Sequence, residues 1–384
     1  MSSNLNEEQI EPAMETKMET KRKPSITEWQ TADKEHAGKY VAEKGFAGEQ
    51  MAGNGQVAEK GAADEQAARY AELHAVVAAD YSNINGIVVQ KNGAVVYEHY
   101  FNGYGPSDSH HVASVTKSVI SALTGIAIEA GYIEHVDQQV TDFFPELVTK
   151  EDIARLQKIT IRQLLTMTVP YPFPGWHEPL DELCQQPDWP AYILSRMGRG
   201  GNVGEFKYSS GGAHLLSAIL TRSTGVCACE FANERLFGPA GMKVIPDREM
   251  EAFGFDELFG GKVTGWVKDP GGNSTGGWGL TLTPRDMAAF GQLYLDYGKA
   301  GGRQVLPKSW IEASTAINSN RYGYLWWLME EEGTSAYSAM GDGGNVICCL
   351  PEHNLVIAIA SSIIPNPLDR WAFIKRYILP NVLS

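Results

Sequence analysis

Hydrophobic positions recur along this chain with two periods, and the segments they mark predict its elements. Tyr70, Leu73, Val76 and Val77 stand at helical spacing and predict an amphipathic helix ending near Asp80. Gly86-Ile87-Val88-Val89-Gln90 and Ala94-Val95-Val96-Tyr97-Glu98 flank Lys91-Asn92-Gly93 and predict a hairpin with an Asn-Gly turn. Val119, Leu123 and Ile126, with Ile120 and Ala127 beside them, predict a helix that starts after Ser114 and stops at Gly131. Thr160 and Gln163 form a capping box for a helix from Ile161 to Met167. Trp189 to Met197 and His214 to Ser223 predict further helices. Thr283 caps the next one, Pro284 takes its first position and Asp286 suits its positive end. Strand signals appear around Gly260 to Val267, Tyr322 to Met329, Asn345 to Leu350 and Asn354 to Ser361, and Trp371, Ile374 and Ile378 mark a closing helix.

Strand-and-helix segments at both ends thus flank a helix-rich middle. The expected fold is α/β (α+β): one antiparallel sheet built from residues 67–131 and 260–384 and flanked by helices, with an inserted helical subdomain at 132–259. Residues 1–66 differ. They are poor in aliphatic side chains, and Val41-Ala42-Glu43-Lys44-Gly45 returns as Val57-Ala58-Glu59-Lys60-Gly61. Such a segment buries too little apolar surface to offset its ordering entropy, so a solvated tail is expected there.

Composition narrows the partners. A formal net charge of -14 over 384 residues argues against nucleic acid and anionic membrane. No apolar run reaches the length of a membrane span. Met1 to Thr20 carries charges where a secretory signal has an apolar stretch, so a cytoplasmic location is expected. The cysteines (Cys184, Cys227, Cys229, Cys348 and Cys349) have no metal-ligand spacing and read as free thiols. No cofactor or metal is expected, and the oligomeric state is left open.

The candidate chemistry lies at the start of the Ser114 helix. Between Asp108 and Glu129 the one full-time charge is Lys117, on an element apolar enough for a core. Ser114 and Lys117 are three residues apart, hence on one face and one turn apart. Burial lowers an ammonium's pKa, and a neutral amine beside a hydroxyl can take its proton. The tetrapeptide alone recurs by chance about once in a chain this long. Its position at a helix start in a chargeless segment is what raises it. Pro170, Pro172 and Pro174 stiffen a loop carrying Tyr171, Phe173 and Trp176, which reads equally as a pocket wall or a core plug. His110 and His111 lack a third ligand and read as exposed loop residues; His214 reads as a packed helical residue.

Three motifs together resemble the penicillin-recognising serine hydrolases, in the class C β-lactamase-like branch with its esterases, D-amino-acid peptidases and nylon-dimer hydrolases. Ser114-Val115-Thr116-Lys117 is similar to the nucleophile motif, Tyr208-Ser209-Ser210 to Tyr-x-Asn or Tyr-x-Ser, and Gly341-Asp342-Gly343-Gly344-Asn345 to Lys-Thr-Gly or His-x-Gly. Gly276-Gly277-Trp278-Gly279-Leu280 followed by Thr283-Pro284-Arg285-Asp286 also resembles a segment of that branch. The resemblance spans residues 68–384. It implies a β-lactamase/transpeptidase-like fold, Ser114 as nucleophile, Lys117 as its base and Tyr208 as general acid/base. It also implies an oxyanion site made by the backbone N–H groups of Ser114 and about Asn345. Ser210, Asp342, Gly343 and Gly344, with Tyr171 and Trp176, would meet the substrate. Asp342 stands where the family's lysine would attract a substrate carboxylate, so an esterase or amidase acting on neutral or cationic groups is expected. A D-aminopeptidase or β-lactamase proper is the alternative, and a non-catalytic ligand-binding relative the rival from another class.

Overall fold

The N-terminal and C-terminal parts meet in a six-stranded antiparallel sheet. The computed structural model describes residues 70–250, 264–331 and 333–383, so the expected tail falls outside the described residues, as does the first part of the strand signal at Gly260 to Val267, whose end is the short strand Trp266–Val267. Strand β1 (Ile84–Lys91) and β2 (Ala94–Tyr100) form the hairpin, turned by Asn92 and Gly93 at φ 53° and 77°, the left-handed conformation these two residues tolerate best. Strands β3 (Trp327–Glu331), β4 (Thr334–Gly341), β5 (Asn345–Leu350) and β6 (Leu355–Ser361) complete the order β2-β1-β6-β5-β4-β3. The first and last strands pair at its centre, Val88 opposite Ala358 and Ile87 opposite Ile359.

Successive residues of β5 and β6 enter two different cores, because strand side chains alternate between faces. Val346, Cys348, Ile357 and Ile359 pack with Leu73 and Val77 of helix α1 (Ala71–Ala79) and with Phe373, Ile374 and Ile378. Ile347, Cys349, Val356 and Ala358 face the larger core, shared with helices α2 (Val115–Glu129), α3 (Ser210–Thr224) and α4 (Pro284–Leu295). Burial on both faces is why these strands read as unbroken apolar runs. The expected fold class is what is found.

Every residue of α2 from Val115 to Ala127 is buried, Lys117 included, and Gly131 ends the helix at φ 76°. A Cβ on Gly125 would lie 2.4 Å from the Trp310 ring, so the missing side chain lets helix Lys308–Ser314 approach α2. The capping boxes at Thr160/Gln163 and Thr283/Asp286 are both made. Among the described residues no single helix is long and apolar enough to cross a membrane, and the described cysteines are free thiols.

Three expectations change. The strand read from Tyr322 to Met329 is cut to Trp327–Glu331, because Arg321 and Leu325 adopt φ 52° and 60° and the Tyr322 and Trp326 rings are buried instead. Strand β4 was not expected at all. His110 and His111 are not exposed: they form a short buried strand against Thr281–Leu282. Gly279 N–H donates to His111 Nε2 at 2.9 Å, and burial drives that imidazole down to about 3, which keeps it neutral.

Candidate active site

Ser114 takes the N-cap position of α2, without a side-chain capping bond, at the end of a tight turn. Ala113 just before it has φ 49°, a left-handed conformation that costs an L-residue about 1 kcal/mol or more. Thr116 secures the turn by donating from Oγ1 to the Ala113 carbonyl at 2.7 Å. The Ser114 hydroxyl faces Lys117, which lies inside the core at 1% exposure.

The Lys117 amine has three acceptors: Ser114 Oγ at 2.9 Å, Ser210 Oγ at 3.0 Å and the Gly277 carbonyl at 2.8 Å. An ammonium donates to all three. A neutral amine keeps two donors and a lone pair, and the carbonyl can never donate to that lone pair. The neutral form therefore donates to Gly277 and leaves its lone pair to one of the two hydroxyls, Ser114 or Ser210. Burial drives the amine down to about 8, against the opposing pull first of Asp342 and then of Glu178. Activity that needs the neutral amine rises with pH through that value. Asp342→Asn removes the largest influence favouring the ammonium, so the acid limb of kcat/KM should move to lower pH, as a pH–rate profile on a neutral ester would reveal.

Tyr208 completes the group. Its ring lies 4.7 Å from Lys117 Nζ, measured to the centroid. Burial pushes its phenol well above the ordinary value; the Ser114 hydroxyl works against that shift, and the charges of Asp342 and Glu178 add to it. The Tyr208 phenol thus keeps its proton at physiological pH. Its ring belongs to an aromatic shelf, with Trp176 at 5.2 Å and Trp327 at 5.7 Å between centroids. Trp176 is 62% exposed and forms the outer end of that shelf.

Ser114, Lys117, Tyr208 and Ser210 are therefore brought together, with Trp176 beside them. Asp342 is exposed at the tip of the β4–β5 hairpin, near enough for its charge to act on Lys117 and Tyr208. The other expected contacts lie elsewhere. Tyr171 is 4% exposed, stacked on Phe173, with its hydroxyl against Gly212. Gly343 and Gly344 turn the hairpin at φ 75° and 84° and are buried, their carbonyls accepting from the Arg370 guanidinium at 3.1 and 3.2 Å. Asn345 is fully buried and spends its side chain inside the fold, donating to the Asp342 carbonyl at 2.8 Å and accepting from Ser361 N–H at 2.9 Å. The sequence reading attached the third motif to β5, whereas β4 is the strand beside the nucleophile. A Cβ on Gly341, its last residue, would stand 2.2 Å from the Val112 carbonyl and 3.1 Å from Ser114 N.

Glu178 is the residue that sequence reasoning missed. Its carboxylate sits on the N-terminus of α3, accepting from Ser210 N–H at 2.5 Å, Gly211 N–H at 3.0 Å and the Ser209 hydroxyl at 2.7 Å. A Cβ on Gly211 would stand 2.9 Å from Glu178 Oε1, so the glycine leaves room for the carboxylate. Burial raises the Glu178 pKa while these donors and Lys117 oppose it. Its one sequence signal is a charge within an aromatic, proline-rich loop. Among the described residues no His, Cys, Asp and Glu side chains cluster as a metal-ligand set.

This geometry has relatives. A 6-aminohexanoate-dimer hydrolase of Paenarthrobacter ureafaciens is 26% identical over 327 residues, covering 78% of this chain and 77% of that protein. A solved structure from Bacillus anthracis, provisionally named a 6-aminohexanoate-dimer hydrolase, aligns with TM-score 0.62 and 25% identity, covering 78% of this chain and 80% of that one. A D-stereospecific amidohydrolase from Streptomyces has the same fold at TM-score 0.58 and 17% identity, over 82% of this chain and 99% of its own. The family model described as Beta-lactamase matches residues 74–371, and the chain belongs to that family of serine hydrolases.

Proposed function

We propose that the chain cleaves a small ester or amide through an acyl-enzyme on Ser114. The observation that carries this reading is the setting of the buried Lys117 amine, 2.9 Å from Ser114 Oγ and held from the other side by the Gly277 carbonyl, which can only accept. Neutral Lys117 takes the Ser114 proton as Oγ attacks the acyl carbon. The tetrahedral oxyanion then draws on the N–H of Ser114 and on the peptide that follows Gly341, whose approach to Ser114 N supports that role. Tyr208 gives its proton to the leaving group and regains one from the Lys117 ammonium. Water then attacks the acyl carbon with Lys117 as base, releasing the acid and free Ser114.

Asp342 disfavours substrates that carry a carboxylate at this point, penicillins among them, and favours neutral or cationic ones. The amide arm has the support of the relatives named 6-aminohexanoate-dimer hydrolase and D-stereospecific amidohydrolase. A panel of p-nitrophenyl esters, D-amino-acid amides, 6-aminohexanoate oligomers and the chromogenic cephalosporin nitrocefin tests the ranking. Esters or amides should turn over well ahead of nitrocefin; nitrocefin hydrolysis rivalling simple esters would overturn it.

A further inference from the structure

His214 and Asp269 take no part in the steps above, yet they lie one loop away from Lys117. Both side chains are without solvent exposure, and His214 Nε2 bonds Asp269 Oδ2 at 2.9 Å. Asp269 also accepts from Asn273, its N–H at 2.8 Å and its Nδ2 at 2.9 Å. Burial disfavours its charge, but the donors from His214 and Asn273 outweigh burial and hold it below the usual carboxylate range. A carboxylate only accepts, which assigns the imidazole proton to Nε2 and leaves Nδ1 as an acceptor. Gly276 N–H donates to that Nδ1 at 3.3 Å.

The next residue is Gly277, whose carbonyl accepts from Lys117. The glycine pair lies flat on the first turns of α3. A Cβ on Gly276 would stand 2.2 Å from the Ala213 carbonyl, and one on Gly277 2.7 Å from the Ser210 carbonyl. On either side the segment is tied down, by Thr275 N–H to the Val267 carbonyl at 2.8 Å and by Gly279 N–H to His111 at 2.9 Å. Ser210 and His214 are four residues apart on α3, hence on one face. Ser210 touches the Lys117 amine directly; His214 holds the loop whose carbonyl does so.

We infer that His214, oriented by Asp269, is a positioning residue for Lys117: it anchors the Gly276–Gly277 peptide so that Gly277 takes one amine proton and the amine is held facing the Ser114 and Ser210 hydroxyls. The inference rests on the hydrolase reading above. Asparagine at 214 can keep an acceptor near the Nδ1 position, while glutamine keeps a donor toward Asp269 and loses the acceptor for Gly276. Asp269→Asn, nearly isosteric, lets the imidazole proton move to Nδ1, facing Gly276 N–H.

The test compares the rate of fluorophosphonate labelling, and kcat and KM on p-nitrophenyl acetate, for His214→Gln, His214→Asn and Asp269→Asn in the full chain. Labelling and kcat should fall about 10- to 100-fold in His214→Gln and Asp269→Asn, with KM within about threefold and His214→Asn restoring most of the rate. Folded variants that all label at the wild-type rate would overturn the inference alone. So would losses in all three that track their thermal midpoints, with no rescue by asparagine. A wild-type chain that takes no label would sink the hydrolase reading and this inference with it.

Discussion

Lys117→Met is expected to lower kcat on a p-nitrophenyl ester by about 10³- to 10⁴-fold with the chain still folded. Methionine has nearly the length of lysine and suits a buried position, and it carries neither a lone pair of useful basicity nor a charge. The cavity therefore stays filled while the proton acceptor for Ser114 disappears. Ser210 Oγ and the Gly277 carbonyl lose a donor, which costs some stability, but the costly burial of an amine is also removed. KM should move little, because Lys117 meets Ser114 rather than the bound acyl group. A kcat within tenfold of wild type would mean that another group takes the proton.

Tyr208→Phe separates the two substrate classes. The ring stays against Trp176 and Trp327, so the shelf and the fold persist and only the hydroxyl is lost. An amide must have its departing nitrogen protonated, and Tyr208, neutral and next to Ser114, is the donor in reach. Amide turnover should fall by about 10²- to 10³-fold. A p-nitrophenolate leaves unaided, so loss on the activated ester should be at least tenfold smaller. Equal losses on both would assign Tyr208 to serine activation rather than to the leaving group.

The parts of the fold legible in the sequence are those whose cause is local. The Asn92-Gly93 turn, the Thr160 capping box, the Thr283 cap and the helix after Ser114 each depend on residues a few positions apart. Strand β4 was illegible because Thr334-Ser335-Ala336-Tyr337-Ser338-Ala339-Met340-Gly341 mixes small and polar side chains; it is a strand because β3 and β5 pair with it on either side. Missing it shifted the third motif onto the wrong strand, which is why Gly343 and Gly344 were expected at the pocket and instead are buried against Arg370. The Ser114–Lys117 relation was legible from one helical turn. Glu178 was not, since its partners Ser209, Ser210 and Gly211 are some thirty positions away and only folding brings that carboxylate to a helix end. His110 and His111 were misread for the same reason: their strand partner, Thr281–Leu282, is far away along the chain.

Covalent labelling decides the central claim. Incubated with a fluorophosphonate and examined by intact mass and peptide mapping, the wild-type chain should gain one adduct, on Ser114, faster as pH rises through about 8, and Ser114→Ala should gain none. A wild-type chain left unmodified, or one labelled equally in Ser114→Ala, would contradict the account.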